Sequence, residues 1–170
     1  MSRRTPRPRR HGFTLLEAMV VLSISAIVLA TTVPIYTRFL QRQQLRGAGD
    51  ALLQDLRNAR ELSASSHVPV FVSYRAGKSW CWGVSSGQPC DCSGASPLPA
   101  CRVSRGQRAD YPDVRLDRAD DAEFEPTLGQ APRHGRADFS TAKGMSLSVE
   151  LNALGRAQAC GADAIGGGAC

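Results

Sequence analysis

Glu17 is the only ionisable residue in an apolar run from Phe13 to Val33, and five arginines crowd the twelve residues before that run. A charge at the centre of a membrane helix costs about 2.5 to 3.5 kcal/mol on insertion scales. A segment that had only to anchor the chain would not carry that cost, so the chemistry of Glu17 is that of a carboxylate waiting for an opposite charge. Elsewhere no catalytic constellation is visible. His11, His67 and His134 have no cysteine or carboxylate at a spacing that suits a triad or a metal. No serine lies in a Gly-x-Ser-x-Gly elbow, and no Gly-rich phosphate loop is present. The reading is of a chain that is not an enzyme and needs no cofactor and no metal.

The order Arg9-Arg10-His11-Gly12-Phe13-Thr14-Leu15-Leu16-Glu17 resembles the class III signal of type IV prepilins and type II secretion pseudopilins. The resemblance implies cleavage after Gly12 by the membrane-bound prepilin peptidase and N-methylation of the new first residue, Phe13. It also implies that Glu17 neutralises the N-terminal amine of a neighbouring subunit during assembly. A twin-arginine export signal explains Arg9-Arg10 but not Glu17, and no small-x-small cleavage site follows. A plain single-span anchor explains the apolar length but not the Gly-Phe-Thr-Leu-Leu-Glu order. An ordinary secretory signal would be removed whole and would waste the amphipathic continuation that follows.

The element that must position Glu17 is a long helix. Residues 1–12 read as a cleaved leader and 13–33 as a transmembrane helix, because 21 largely apolar residues at about 1.5 Å each match a bilayer core of about 30 Å. Pro34 removes a backbone bond and is expected to kink the helix; pilin-like proteins often carry a proline there. Residues 34–66 read as its amphipathic half. Leu45, Ala48, Leu52, Leu56, Ala59 and Leu62 recur at three- and four-residue steps, with Arg46, Asp50, Asp55, Arg57, Arg60 and Glu61 between them. Gly47 and Gly49 suggest a looser turn. The run Leu56-Arg57-Asn58-Ala59-Arg60-Glu61-Leu62 resembles the Leu-Arg-x-Ala-Arg segment of the FimT/GspH branch, and equally reads as a solvated basic edge beside a core stripe.

Beyond the helix, residues 67–170 read as one β-rich periplasmic or extracellular head. The whole chain has 21 Lys and Arg against 15 Asp and Glu, but Arg3, Arg4, Arg7, Arg9 and Arg10 precede Phe13, leaving 16 against 15, a net +1. The leader arginines belong on the cytoplasmic side, with the head across the membrane. Val68 to Tyr74 and Trp80 to Val84 alternate as a hairpin, with Pro69 at its beginning and both tryptophans on one face. That face is read as core packing rather than ligand stacking. Ser85 to Arg108 reads as a long loop, Val114 to Phe124 as one short strand, and 137–140, 145–151 and 156–160 as further strands. The expected fold is α+β: a long N-terminal helix, membrane span plus amphipathic half, packed on a small antiparallel sheet with a disulfide-stabilised loop.

Cys81, Cys90, Cys92, Cys101, Cys160 and Cys170 all lie in that head, so disulfides are the default in its oxidising compartment. A zinc site is the rival, but Cys90-x-Cys92 is too tight for the usual knuckle and no histidine is near. The sequence does not choose the pairing; a bond between Cys160 and Cys170 is preferred because it would tie down the Gly-rich tail.

Three functions follow. The first is a minor pilin of a type IV pilus, incorporated through its N-terminal helix beside other pilins and acting in assembly or at the tip. The second is a type II secretion pseudopilin. The third is a DNA-binding minor pilin for DNA uptake, suggested because Gly155-Arg156-Ala157-Gln158 resembles the Gly-Arg-x-Arg pattern of FimT-like proteins, with Gln158 in the second arginine's place. Arg156 is its candidate contact, and Arg102, Arg105 and Arg108 form a further basic patch. All three readings place the protein in the bacterial inner membrane, single pass with a periplasmic head, until it joins a pilus or pseudopilus.

Overall fold

The computed structural model describes residues 14–161. One helix, α1 (Leu15–Ser66), leads into eight strands: β1 (Val70–Arg75), β2 (Cys81–Ser86), β3 (Ser104–Gln107), β4 (Val114–Ala119), β5 (Ala122–Phe124), β6 (Arg136–Thr141), β7 (Ser146–Leu151) and β8 (Ala157–Cys160). The chain divides after Thr37 into two compact units. The first contains the apolar start of α1. The second contains the remainder of α1 and the whole β-rich head.

Within the head unit, α1 lays one stripe on the strands. Leu45, Ala48, Leu52, Leu56 and Ala59 are buried and Leu62 is half-buried, as the three- and four-residue spacing predicts. Gly47 and Gly49 do not interrupt the helix. Gly49 is instead a point of close approach, since a Cβ there would lie 2.5 Å from Leu147 Cδ2. The helix ends at His67, which takes the left-handed conformation (φ 57°) usually given to glycine and donates its N–H to Ser63 O at 3.1 Å. The buried Ser63 hydroxyl donates to Phe124 O at 3.0 Å and ties this end of α1 to β5.

The strands form two antiparallel four-stranded sheets, ordered β3-β2-β1-β5 and β4-β6-β7-β8, where the sequence suggested a single small sheet. The long loop expected from Ser85 to Arg108 contains β3, and the stretch expected to hold one short strand holds both β4 and β5. The reason β3 escapes the sequence is physical: Ser104-Arg105-Gly106-Gln107 has no apolar residue and becomes a strand by pairing with the edge of β2, Trp82 opposite Gly106. Asp120 and Asp121 divide β4 from β5. The hairpin of β1 and β2 matches the expected one, its strands starting at Val70 and Cys81.

Alternation in β1, β6 and β7 sends Val70, Val72, Ala137, Phe139, Leu147, Val149 and Leu151 into one core. Trp80 and Trp82 are that core's largest side chains. Their rings stack at 5.6 Å, and Phe139 meets both edge-on at 5.8 and 6.0 Å. Each indole N–H is satisfied, Trp80 by Val114 O at 2.8 Å and Trp82 by the Asp55 carboxylate of α1 at 2.7 Å. Burial first, then the nearby Asp121, Asp55 and Asp120 carboxylates, push the Tyr74 phenol well above its ordinary range.

A Cβ on Gly106 would overlap the Trp82 ring, which the Asp55 bond holds in place. Gly106→Ala is therefore expected to destabilise the fold by about 1 to 3 kcal/mol, measured by thermal unfolding of the full chain in a non-ionic detergent. A melting temperature equal to that of the wild type would show that the ring is free to move aside.

Candidate functional site

The N-terminal part of α1 begins on Thr14, whose hydroxyl accepts from Glu17 N–H at 3.3 Å while its carbonyl accepts from Ala18 N–H at 3.2 Å. Thr14-x-x-Glu17 has the spacing of a capping box, a helix-start signal legible in the sequence that the weighing of Glu17 as a charge left aside. Glu17 is exposed. So are the apolar side chains that follow it, among them Leu16 at 72%, Leu22 at 69% and Ile27 at 67%. The segment is long and apolar enough to cross a membrane, and none of it is buried in the structure. Three of its hydroxyls are satisfied within the helix: Ser23, Ser25 and Thr32 donate to Met19 O, Val21 O and Val28 O, each at 2.8 Å. Glu17 is the only charged side chain among the described residues of that segment. α1 continues through Pro34, whose side chain lies outside what is described, as do Gly12 and Phe13.

In the head, two stretches far apart in sequence meet. Leu56 and Ala59 of the Leu-Arg-x-Ala-Arg run are buried, Arg57 is exposed, and the half-buried Arg60 donates from Nε to Gly129 O at 3.1 Å. Gly155 (φ +72°) passes so close to that carbonyl that a Cβ would overlap it. The Asn152 side chain accepts from Leu154 N–H at 3.1 Å and Arg156 N–H at 3.0 Å, which fixes the turn carrying Arg156. The result is a groove of about 720 Å³ lined by Arg57, Arg60, Arg156 and Gln158, with Glu61 as its carboxylate. The link between Arg60 and Gly129 had no local sequence signal, because 69 residues separate the partners.

Arg105 and Arg108 lie with Lys78 along another groove, of about 430 Å³, which Arg102 does not line. Cys81–Cys92 and Cys90–Cys101 are disulfide-bonded and interlocked in sequence. They lay the Cys-rich loop across the outer face of β2, where a Cβ on Gly83 would overlap Cys101 Sγ. This is why β2, unlike its neighbours, is buried on both faces. Hydrogen bonds from the Ser93 side chain and backbone and from Ser96 N–H hold the half-buried Asp91 carboxyl in that loop well below its usual range. Cys160 is also disulfide-bonded; the preferred pairing with Cys170 involves a residue outside the described ones. Among the described residues no group of three or more His, Cys, Asp or Glu is placed to hold a metal.

A family model described as the prokaryotic N-terminal methylation motif matches residues 7–33. That match supports a type IV pilin-like protein. It implies processing by a prepilin peptidase and assembly with other pilins, and with the apolar helix it fits membrane anchoring. No curated protein and no solved structure gives a significant match to the chain.

Proposed function

We propose that this protein is a minor pilin of a type IV pilus, cut after Gly12, N-methylated on Phe13 and incorporated through its N-terminal helix. The observation that carries the reading is the coincidence of the methylation motif at 7–33 with a helical segment whose apolar side chains are exposed on all sides. Glu17 is the register charge: in a bundle of such helices its carboxylate is neutralised by the amine of a neighbour's Phe13. Pro34 bends the helix between span and head. The head stands in the periplasm before assembly, and the role is structural. The interlocked disulfides favour a surface-exposed pilin over a type II secretion pseudopilin, because an exposed tip gains more from cross-linking.

A second reading, DNA binding for uptake, is favoured by one observation, the gathering of Arg57, Arg60 and Arg156 round a single groove. Glu61 and Gln158 in the same groove oppose it.

Glu17→Ala is expected to be cleaved normally yet to fall about thirtyfold or more in sheared fibres, the scale of effect when one partner of a buried ion pair is removed. Quantitative immunoblotting of fibres and membranes measures this, and wild-type incorporation would contradict the register role. For the second reading, the full chain in non-ionic detergent should shift duplex DNA at low salt, with Arg156→Ala lowering the salt slope by about one. The absence of a shift at low salt removes that reading.

A further inference from the structure

The cleft beside the Cys81–Cys92 disulfide is assembled from four separate stretches of the head. Antiparallel register sets Gln107 opposite Cys81 and Arg105 opposite Gly83. Arg105 and Gln107 therefore share the outer face of their sheet with Cys81, which is bonded to Cys92 of the loop. The turn between β1 and β2 adds Lys78 and Ser79, and the turn after β3 adds Arg108, Ala109 and Pro112. The volume they enclose, about 430 Å³, is within the range of small-ligand sites.

Lys78, Arg105 and Arg108 are exposed, and among the described residues no carboxylate lines the cleft with them. Both arginines are nevertheless held in place, and by neutral oxygens. Arg105 Nη2 donates to Gln107 Oε1 at 2.8 Å, and Arg108 Nη1 donates to Lys78 O at 2.9 Å. Neither bond neutralises a charge, so each guanidinium is aimed while its charge and its remaining N–H donors stay available. Asp110, the nearest acid in sequence, accepts from Gln107 N–H at 3.1 Å and lines a different groove, which Arg105 also borders. Asp91 is engaged by Ser93 and Ser96 N–H. Cations without acids call for an oxyanion, and the arginine fork fits carboxylate and phosphate alike. Ser79 and Gln107 supply hydroxyl and amide groups beside the cations, while Ala109, Pro112 and the disulfide supply an apolar wall. An oxyanion, neighbouring hydroxyls and a C–H face occur together on an acidic sugar. A nucleic-acid duplex needs charge spread over many phosphates, and the chain from Phe13 onward carries a net of only +1.

We propose that this cleft binds one acidic sugar unit of an anionic polysaccharide, with Arg105 and Arg108 on its carboxylate or phosphate and Lys78, Ser79 and Gln107 beside them. Every residue of the site belongs to the head unit, so the site stands whether or not the chain joins a fibre.

The test titrates the full chain, in non-ionic detergent at low salt, with tetragalacturonate, its neutral methyl ester and a phosphorylated maltotetraose by calorimetry. Expected is saturable binding of at least one acidic saccharide, weakened by salt, and none of the ester; the tighter of the two acids identifies the oxyanion. Binding of neither acid, or equal binding of the ester, overturns the proposal. Tetraglutamate and a short DNA duplex are then used to displace the bound saccharide. Displacement by either at the saccharide's own affinity would make the cleft a general anion patch and likewise overturns it. Arg105→Gln combined with Arg108→Gln should weaken saccharide binding about tenfold or more, and the corresponding Arg→Lys pair should retain most of it. Arg115→Gln, which changes an exposed arginine outside the cleft, should leave the affinity unchanged; an equal loss there would reduce the effect to bulk charge. Thermal unfolding of the same samples checks the fold. If the double variant melts early, Lys78→Gln on the exposed turn decides instead, with a severalfold loss expected and an unchanged affinity contradicting the site.

Discussion

Apolar surface that a chain does not cover for itself has to be covered by something else, and α1 states this constraint twice. From Leu45 to Leu62 its apolar stripe is covered by the head's own strands. From Leu15 to Leu40 the apolar residues are exposed on every side, an arrangement that water does not tolerate at that length. Everything else follows from keeping one helix serviceable in two solvents. In the first part Ser23, Ser25 and Thr32 turn their hydroxyls inward on their own backbone, and in the second Arg60 bonds to a loop carbonyl and Asp55 to the Trp82 indole.

The head meets its own constraint by close approach rather than by size. Small residues, Ala48, Gly49 and Ala59, let α1 sit low on the strands, and Gly106 gives Trp82 a flat floor. Two polar ties set the register of helix against sheet: Asp55 to the Trp82 indole and Ser63 to the Phe124 carbonyl. The disulfide loop adds a cover over β2 that the aromatic-poor composition does not otherwise provide.

Wherever periodicity carries the signal, the sequence is a good guide to this fold. The helix stripe from Leu45 to Ala59, the β1–β2 hairpin and the paired tryptophans of the core are all legible from spacing. β3 is not, because a strand without apolar residues is defined by its partner and not by its own composition. The division into two sheets is likewise a property of long-range pairing. At the candidate site, Glu17 stands out because it breaks an apolar run. The groove does not stand out, because Arg60, Gly129 and Arg156 come from separate segments and are joined by a hydrogen bond that no local pattern encodes.

The central claim is that the N-terminal helix is processed and leaves the membrane for a filament. It is tested most directly by mass spectrometry of the N-terminal peptide recovered from sheared, washed fibres of cells expressing a tagged copy. The account predicts a peptide that begins at Phe13 and carries one added methyl group. A chain that still begins at Met1, or processed protein confined to the cell envelope and absent from the fibres, would contradict it.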